Sequence, residues 1–342
     1  MTKNLLVLAG ALCVACTPQP AVAPLAPVEE VHVVPDDSPI ALRSSVVADE
    51  FFWLRAKLLE GEAPPPFRAA YSAMHDLRAD LGSDASAWED LEVPLGTLSR
   101  AHELGAAYGA LPELTDVDGR SIALRAEAMR VARTLEATET EYLRGPYREH
   151  ADAIARAAKD LSARLLPNES AILKSIESDM NLPGVDRAII VTLVGDAPYP
   201  AFFAADERGK QIATFVRVRG LDGTALVETV LQASLHAIDE ITVKTPTAMN
   251  MLRGALAHRG IDEADPNIEM IVNTLTFAEA ASLVRRFVDK AHKPMGEGGF
   301  YTLYPPAMSI VAAWDRHLDG EPLESTMDAI ASAVSTPTEP AD

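Results

Sequence analysis

Cysteine is almost missing from this chain. Of 342 residues only Cys13 and Cys16 are cysteine, and both stand near the N-terminus. The body that follows therefore holds no disulfide framework, no cysteine-ligated metal centre and no thiol nucleophile. Aromatic residues are sparse at 6% while alanine is plentiful, which favours packed helices over a β-sandwich. Basic residues are short as well: 30 Lys and Arg stand against 50 Asp and Glu, a formal net charge of -20. That sign argues against nucleic acid or an anionic membrane face as a main partner, because phosphate neutralisation needs a basic surface. There is no G-x-S-x-G elbow, no P-loop and no G-x-G-x-x-G turn. A glycosidase-type carboxylate pair stays open, since the many acidic residues supply many pairs. What is present is an apolar fraction of 48%, enough for a sizeable core in one large domain or two modest ones.

The N-terminus reads as an address. Met1-Thr2-Lys3-Asn4 is a short positive start, and the apolar run at 5–15 suits a secretory signal. That run falls short of the roughly 20 residues needed to span a bilayer. Cys13-Val14-Ala15-Cys16 resembles the end of a bacterial lipoprotein signal, although Cys13 stands where leucine is usual. The resemblance implies cleavage before Cys16, its lipidation, and anchoring to the cell envelope. The expected location is the outer membrane, facing the periplasm or the surface. Residues 17–44 carry Pro18, Pro20, Pro24, Pro27 and Pro35, and are expected to form a semi-extended tether.

The globular body is expected over 45–334, as a helical half at 45–181 and a mixed half at 182–334, with a disordered tail at 335–342. Val47, Phe51, Leu54 and Leu58 recur at helical spacing before Pro64-Pro65-Pro66 stops them. Further helices are predicted over 67–81, 98–108, 122–143, 148–166 and, capped by Asn168, to 179. His75, His102 and His150 lie on these helices with no second ligand at helical spacing, so each is read as solvated or structural. In the mixed half, 187–194, 199–204 and 211–218 read as strands, with a turn at 206–209. Asp222 or Thr224 then caps a central helix whose stripe is Val227, Leu231, Leu235 and Ile238. Thr245-Pro246 and Asp265-Pro266 start two more helices, reaching about 258 and 291. Gly296, Gly298 and Gly299 make 295–299 a flexible loop, and helices at 309–317 and 327–334 close the body. The fold class is thus α+β, mostly helical: a helical half packed on a small sheet and central helix.

On the central helix, Gln232 and His236 are four residues apart and share a face. A His-Glu-x-x-His zinc helix uses that geometry, with two imidazoles on the metal and the glutamate activating its water. Val230-Leu231-Gln232-Ala233-Ser234-Leu235-His236-Ala237-Ile238-Asp239 resembles the active helix of zincin-type metallopeptidases. Gln232 takes the place of the first histidine and Ala233 that of the catalytic glutamate. The run 273–286 resembles the downstream helix that carries the acidic third ligand in such families. There Ser282 takes the ligand's place and Glu279 is the nearby carboxylate.

An amide oxygen is a poor zinc ligand beside imidazole, and alanine takes no proton from water. The resemblance therefore implies a metal-depleted, zincin-like pseudoenzyme without catalytic residues or cofactor. Its role would be to bind an envelope peptide or protein in a cleft at Gln232, His236, Asp239 and Tyr301, with Phe300 and Tyr304 beside it. Two alternatives remain. One is a zinc hydrolase with unconventional ligands among His236, His258, Glu279, His317 and Glu228. The other is a purely structural envelope lipoprotein, which predicts no deep groove.

Overall fold

Residues Ile40–Ser44, assigned above to the tether, form a fully buried β-strand. The body therefore begins before residue 45. Pro39 is the last proline of this stretch, so residues 40–44 keep every N–H for a ladder and bring Ile40 and Leu42 to one face. The computed structural model describes residues 32–33, 40–62, 64–82, 84–182, 189–205, 212–241, 246–262, 265 and 267–335. The expected signal, Cys16, most of the tether, the turn at 206–209 and residues 336–342 of the tail lie outside the described residues. Ser335 ends a helix and does not open the tail.

Among the described residues five strands make one mixed sheet: β1 (His32–Val33), β2 (Ile40–Ser44), β5 (Ile189–Val194), β7 (Ile212–Arg217) and β6 (Ala201–Ala205), in that spatial order. β2, β5 and β7 run parallel, and the edge strands β1 and β6 run antiparallel to their neighbours. A separate hairpin pairs β3 (Thr115–Val117) with β4 (Arg120–Ile122). Its Asp118-Gly119 turn holds φ of 52° and 74°, the left-handed pair that a tight hairpin turn requires.

Between β2 and β5 come α1 (Val46–Glu60), α2 (Arg68–Leu81), α3 (Ala85–Glu92), α4 (Ala101–Gly109), α5 (Leu124–Arg144), α6 (Pro146–Leu165) and α7 (Glu169–Asp179). After β7 come α8 (Gly223–Ile241), α9 (Ala248–His258), α10 (Asn267–Phe287), α11 (Phe300–Leu303), α12 (Ala307–Leu318) and α13 (Leu323–Ser335). The α+β, mostly helical class holds. The two halves are nonetheless interleaved, because the first seven helices are inserted between two adjacent parallel strands.

Strand alternation divides the interior into two cores. Ile40, Leu42, Ile189, Val191, Leu193 and Val216 face α6 to α10, α12 and α13. Val194, Ala213 and Phe215 face α1 to α5 on the opposite side. There Phe52 meets Phe215 with ring centroids 4.7 Å apart and Phe202 at 4.6 Å. The short 3-10 turn Val93–Gly96 lies so close to β7 that a Cβ on Gly96 would stand 2.6 Å from that of Ala213.

The Ser45 hydroxyl caps α1 by accepting from the Ala48 N–H at 3.2 Å. Of the signals predicted from the sequence, the stripe of α8 acts as expected. Val227, Leu231, Leu235 and Ile238 are all buried in the core against the sheet. Others act differently. Asn168 makes no side-chain cap bond to α7 and instead donates to the Arg164 carbonyl. Thr247 caps α9, accepting from the Asn250 N–H. The 295–299 segment is anchored: Met295 N–H donates to the Glu228 carboxylate, and Gly296 lies under the Tyr301 ring, where a Cβ would stand 2.2 Å away.

Candidate functional site

α8 packs on β6, β7 and α10 and carries a polar patch near its middle. Gln232 and His236 project from it, one turn apart, towards α10. The Gln232 amide donates to Asn273 Oδ1 at 3.4 Å, and His236 Nε2 lies 3.2 Å from the Thr276 hydroxyl. Thr276 in turn donates to the Asn273 carbonyl at 3.0 Å. Phe203 of β6 covers the imidazole from the sheet side, with ring centroids 6.2 Å apart. Burial pushes the His236 pKa down to about 4, against a smaller raising effect from Asn273. The ring is therefore a neutral donor–acceptor at ordinary pH.

These side chains floor a groove of about 210 Å³. Ala201, Phe202 and Phe203 form one wall, Glu269 and Asn273 of α10 the other, and Glu89 of α3 lies at its rim. Among the described residues β6 is the outermost strand on this side of the sheet. The Arg217 N–H donates to the Pro200 carbonyl at 2.9 Å, which sets the phase of the ladder. Residues 202 and 204 then exchange bonds with β7, while the main-chain groups of Ala201, Phe203 and Ala205 point to the open side.

The sequence placed other residues in this cleft, and the structure moves them. Asp239 ties α8 to α9, accepting from the Thr247 hydroxyl at 2.5 Å and from Arg253 at 3.0 Å. Tyr301 packs on Gly296 near Glu228, away from His236. Glu279 accepts from the Trp314 indole at 2.9 Å and pairs with Arg286 at 3.3 Å. Ser282 is buried on α10 nine residues beyond Asn273. Asn273 and Thr276 are thus the α10 side chains bonded to Gln232 and His236, and Glu279 and Ser282 are not among them.

The alternative ligand set is not assembled either. His258 is exposed at the end of α9. His317 lies within hydrogen-bonding distance of the Glu321 and Asp179 carbonyls, at 2.8 and 3.0 Å. Glu228 faces His292 at 2.5 Å, with His292 also 2.9 Å from Thr224, whose hydroxyl goes there. Among the described residues no three His, Cys, Asp or Glu side chains come together where they could hold a metal ion.

His150, read as solvated or structural, belongs to a buried polar node. Its Nδ1 lies 2.8 Å from Asp49 Oδ2, which also accepts from the Tyr142 hydroxyl at 2.7 Å. The Gly195 N–H donates to Asp49 Oδ1 at 2.5 Å, just past the carboxyl end of β5. Burial works to lower the His150 pKa, but the hydrogen bond and charge of Asp49 leave it raised. No pattern in the sequence announces this node, because Asp49, Tyr142, His150 and Gly195 come from four separate segments. No protein-family model, curated protein or solved structure matches the chain.

Proposed function

We propose that this chain is an exported, lipid-anchored protein of the bacterial cell envelope whose zincin-like groove holds an extended peptide without cutting it. One observation carries the reading: an open, antiparallel edge strand runs beside the helix face that bears Gln232, Ala233 and His236. An extended peptide laid along β6 would pair with the outward N–H and C=O groups of Ala201, Phe203 and Ala205. Its side chains would enter the groove over Phe203, Gln232 and His236. The Gln232–Asn273 pair and the neutral His236 supply hydrogen bonds to such a peptide. Ala233 supplies no base for water, and the side chains around it supply no ligand set for a metal.

The test is a panel of short unstructured peptides incubated with the body from residue 17 onward. Binding without cleavage, lost on Gln232→Ala together with His236→Ala, is the expected result. Cleaved peptides, or a tightly bound zinc that disappears with His236→Ala, would restore the hydrolase reading. The anchor rests on residues 5–16. Labelled palmitate should enter the full chain in a bacterial host and be lost in Cys16→Ser.

A further inference from the structure

A second cleft, of about 320 Å³, opens on the helical side of the sheet. Arg55, Leu58 and Leu59 of α1, Arg78 near the end of α2, Trp88 of α3, and Pro198 and Tyr199 after β5 line it. Its size suits a small molecule, and its walls are about evenly polar and apolar. Leu59 and Tyr199 are 51% and 58% exposed at its mouth.

The charge of the lining is the unusual feature. The chain carries a net charge of -20, yet this cleft is lined by two arginines and no carboxylate. The two guanidiniums are differently held. Arg55 is fixed: it pairs with the buried Glu92 and lies 4.2 Å over the Trp88 ring and 5.1 Å from Phe202. That pairing engages one edge of its fork and leaves further N–H donors. The Trp88 indole is pinned by its own bond to the Gly82 carbonyl at 3.2 Å. Arg78, exposed at the rim, makes no ion pair or side-chain hydrogen bond among the described residues. A rigid aromatic floor, a preorganised cation and an uncommitted one thus share a single cleft. The buried Glu92 offsets the charge of Arg55, so Arg78 supplies the positive charge that an anion can approach in this acidic molecule.

We propose that this cleft binds a small aromatic carboxylate. The carboxylate is held by Arg78 and the remaining donors of Arg55, and the ring lies against Tyr199. Bidentate guanidinium–carboxylate geometry supplies the recognition of the head, and packing against the exposed Tyr199 phenol that of the body.

The test is calorimetric titration of the protein with hydrocinnamate, with hydrocinnamyl alcohol as its uncharged counterpart and acetate as the head without the ring. Hydrocinnamate should bind at one saturable site, about tenfold or more tighter than the alcohol, and acetate should not bind measurably. Arg78→Gln, at an exposed position without bonds to lose, should bring hydrocinnamate down to the level of the alcohol and leave alcohol binding and Tm unchanged. Tyr199→Ala should weaken both ligands alike. Equal binding of acid and alcohol, no binding of the acid, or an Arg78→Gln variant that still prefers the acid would each overturn the proposal.

Discussion

Glu50 offers the sharpest prediction, because its carboxyl is buried near the start of α1 with little to support a charge. Oε1 accepts from the Thr138 hydroxyl at 2.8 Å, and Oε2 has no hydrogen-bond partner among the described residues. Burial, with the charges of Glu139 and Asp49 adding to it and the Thr138 bond opposing it, pushes the pKa from 4.5 to about 8. At neutral pH the folded chain therefore holds a proton that the unfolded chain has released. Folding is favoured fully below pH 4.5, and that contribution is lost as pH rises towards 8. The loss is about 1.4 kcal/mol per pH unit, or about 4 kcal/mol between about pH 5 and pH 8. Glu50→Gln keeps the shape and the acceptor for Thr138 but removes the titration. Urea unfolding of both proteins at several pH values checks this. Glu279, also pushed up to about 8, titrates equally in both, so only the difference between them is diagnostic. The stability of Glu50→Gln relative to the parent should rise by about 4 kcal/mol across that range. Parallel stability curves would refute the reasoning, since they would mean that Glu50 ionises in the folded chain as easily as in the unfolded one.

The remaining predictions concern close packing and the groove. Gly195→Ala places a methyl 2.1 Å from His150 Cγ, so the ring must leave Asp49; thermal unfolding should show a loss of about 3 kcal/mol or more. Gly96→Ala brings a methyl against the Ala213 Cβ and Cα at 2.6 and 3.1 Å, and the same assay should report about 1–3 kcal/mol, with partial recovery in Gly96→Ala combined with Ala213→Gly. Because burial holds His236 near a pKa of about 4, NMR titration of its ring should show no protonation between about pH 5.5 and pH 8, and peptide affinity should be flat over that range.

How much of this was legible in the sequence depended on whether the signal was local. The strands β5 and β7 and the stripe of α8 were readable because β-branched runs and helical periodicity are properties of a few consecutive residues. β2 was not, because five residues after a proline-rich stretch carry little signal of their own. Their partner is β5, and Ile40 pairs with Ile189 only after seven intervening helices. The pairing of Gln232 with His236 followed from helix geometry, but the partner residues did not. Asn273 and Thr276 meet that pair through the register of α10 against α8, which no pattern within either helix announces. Tyr301 looked like a groove residue because it follows a glycine cluster. That cluster is anchored instead, through Met295 on Glu228, and takes the phenol ring with it. The Asp49–His150 node and the arginine-lined cleft depend on residues far apart in the chain, and only the assembled fold brings them together.

The central claim is that the free edge of β6 receives an extended peptide, and amide hydrogen exchange tests it most directly. With a peptide from the panel bound, exchange should slow at alternate positions, Ala201, Phe203 and Ala205, whose N–H groups face the open side. Phe202 and Ala204, already in the ladder with β7, should change little. Protection without that alternation, or confined to helices away from β6, would contradict the account.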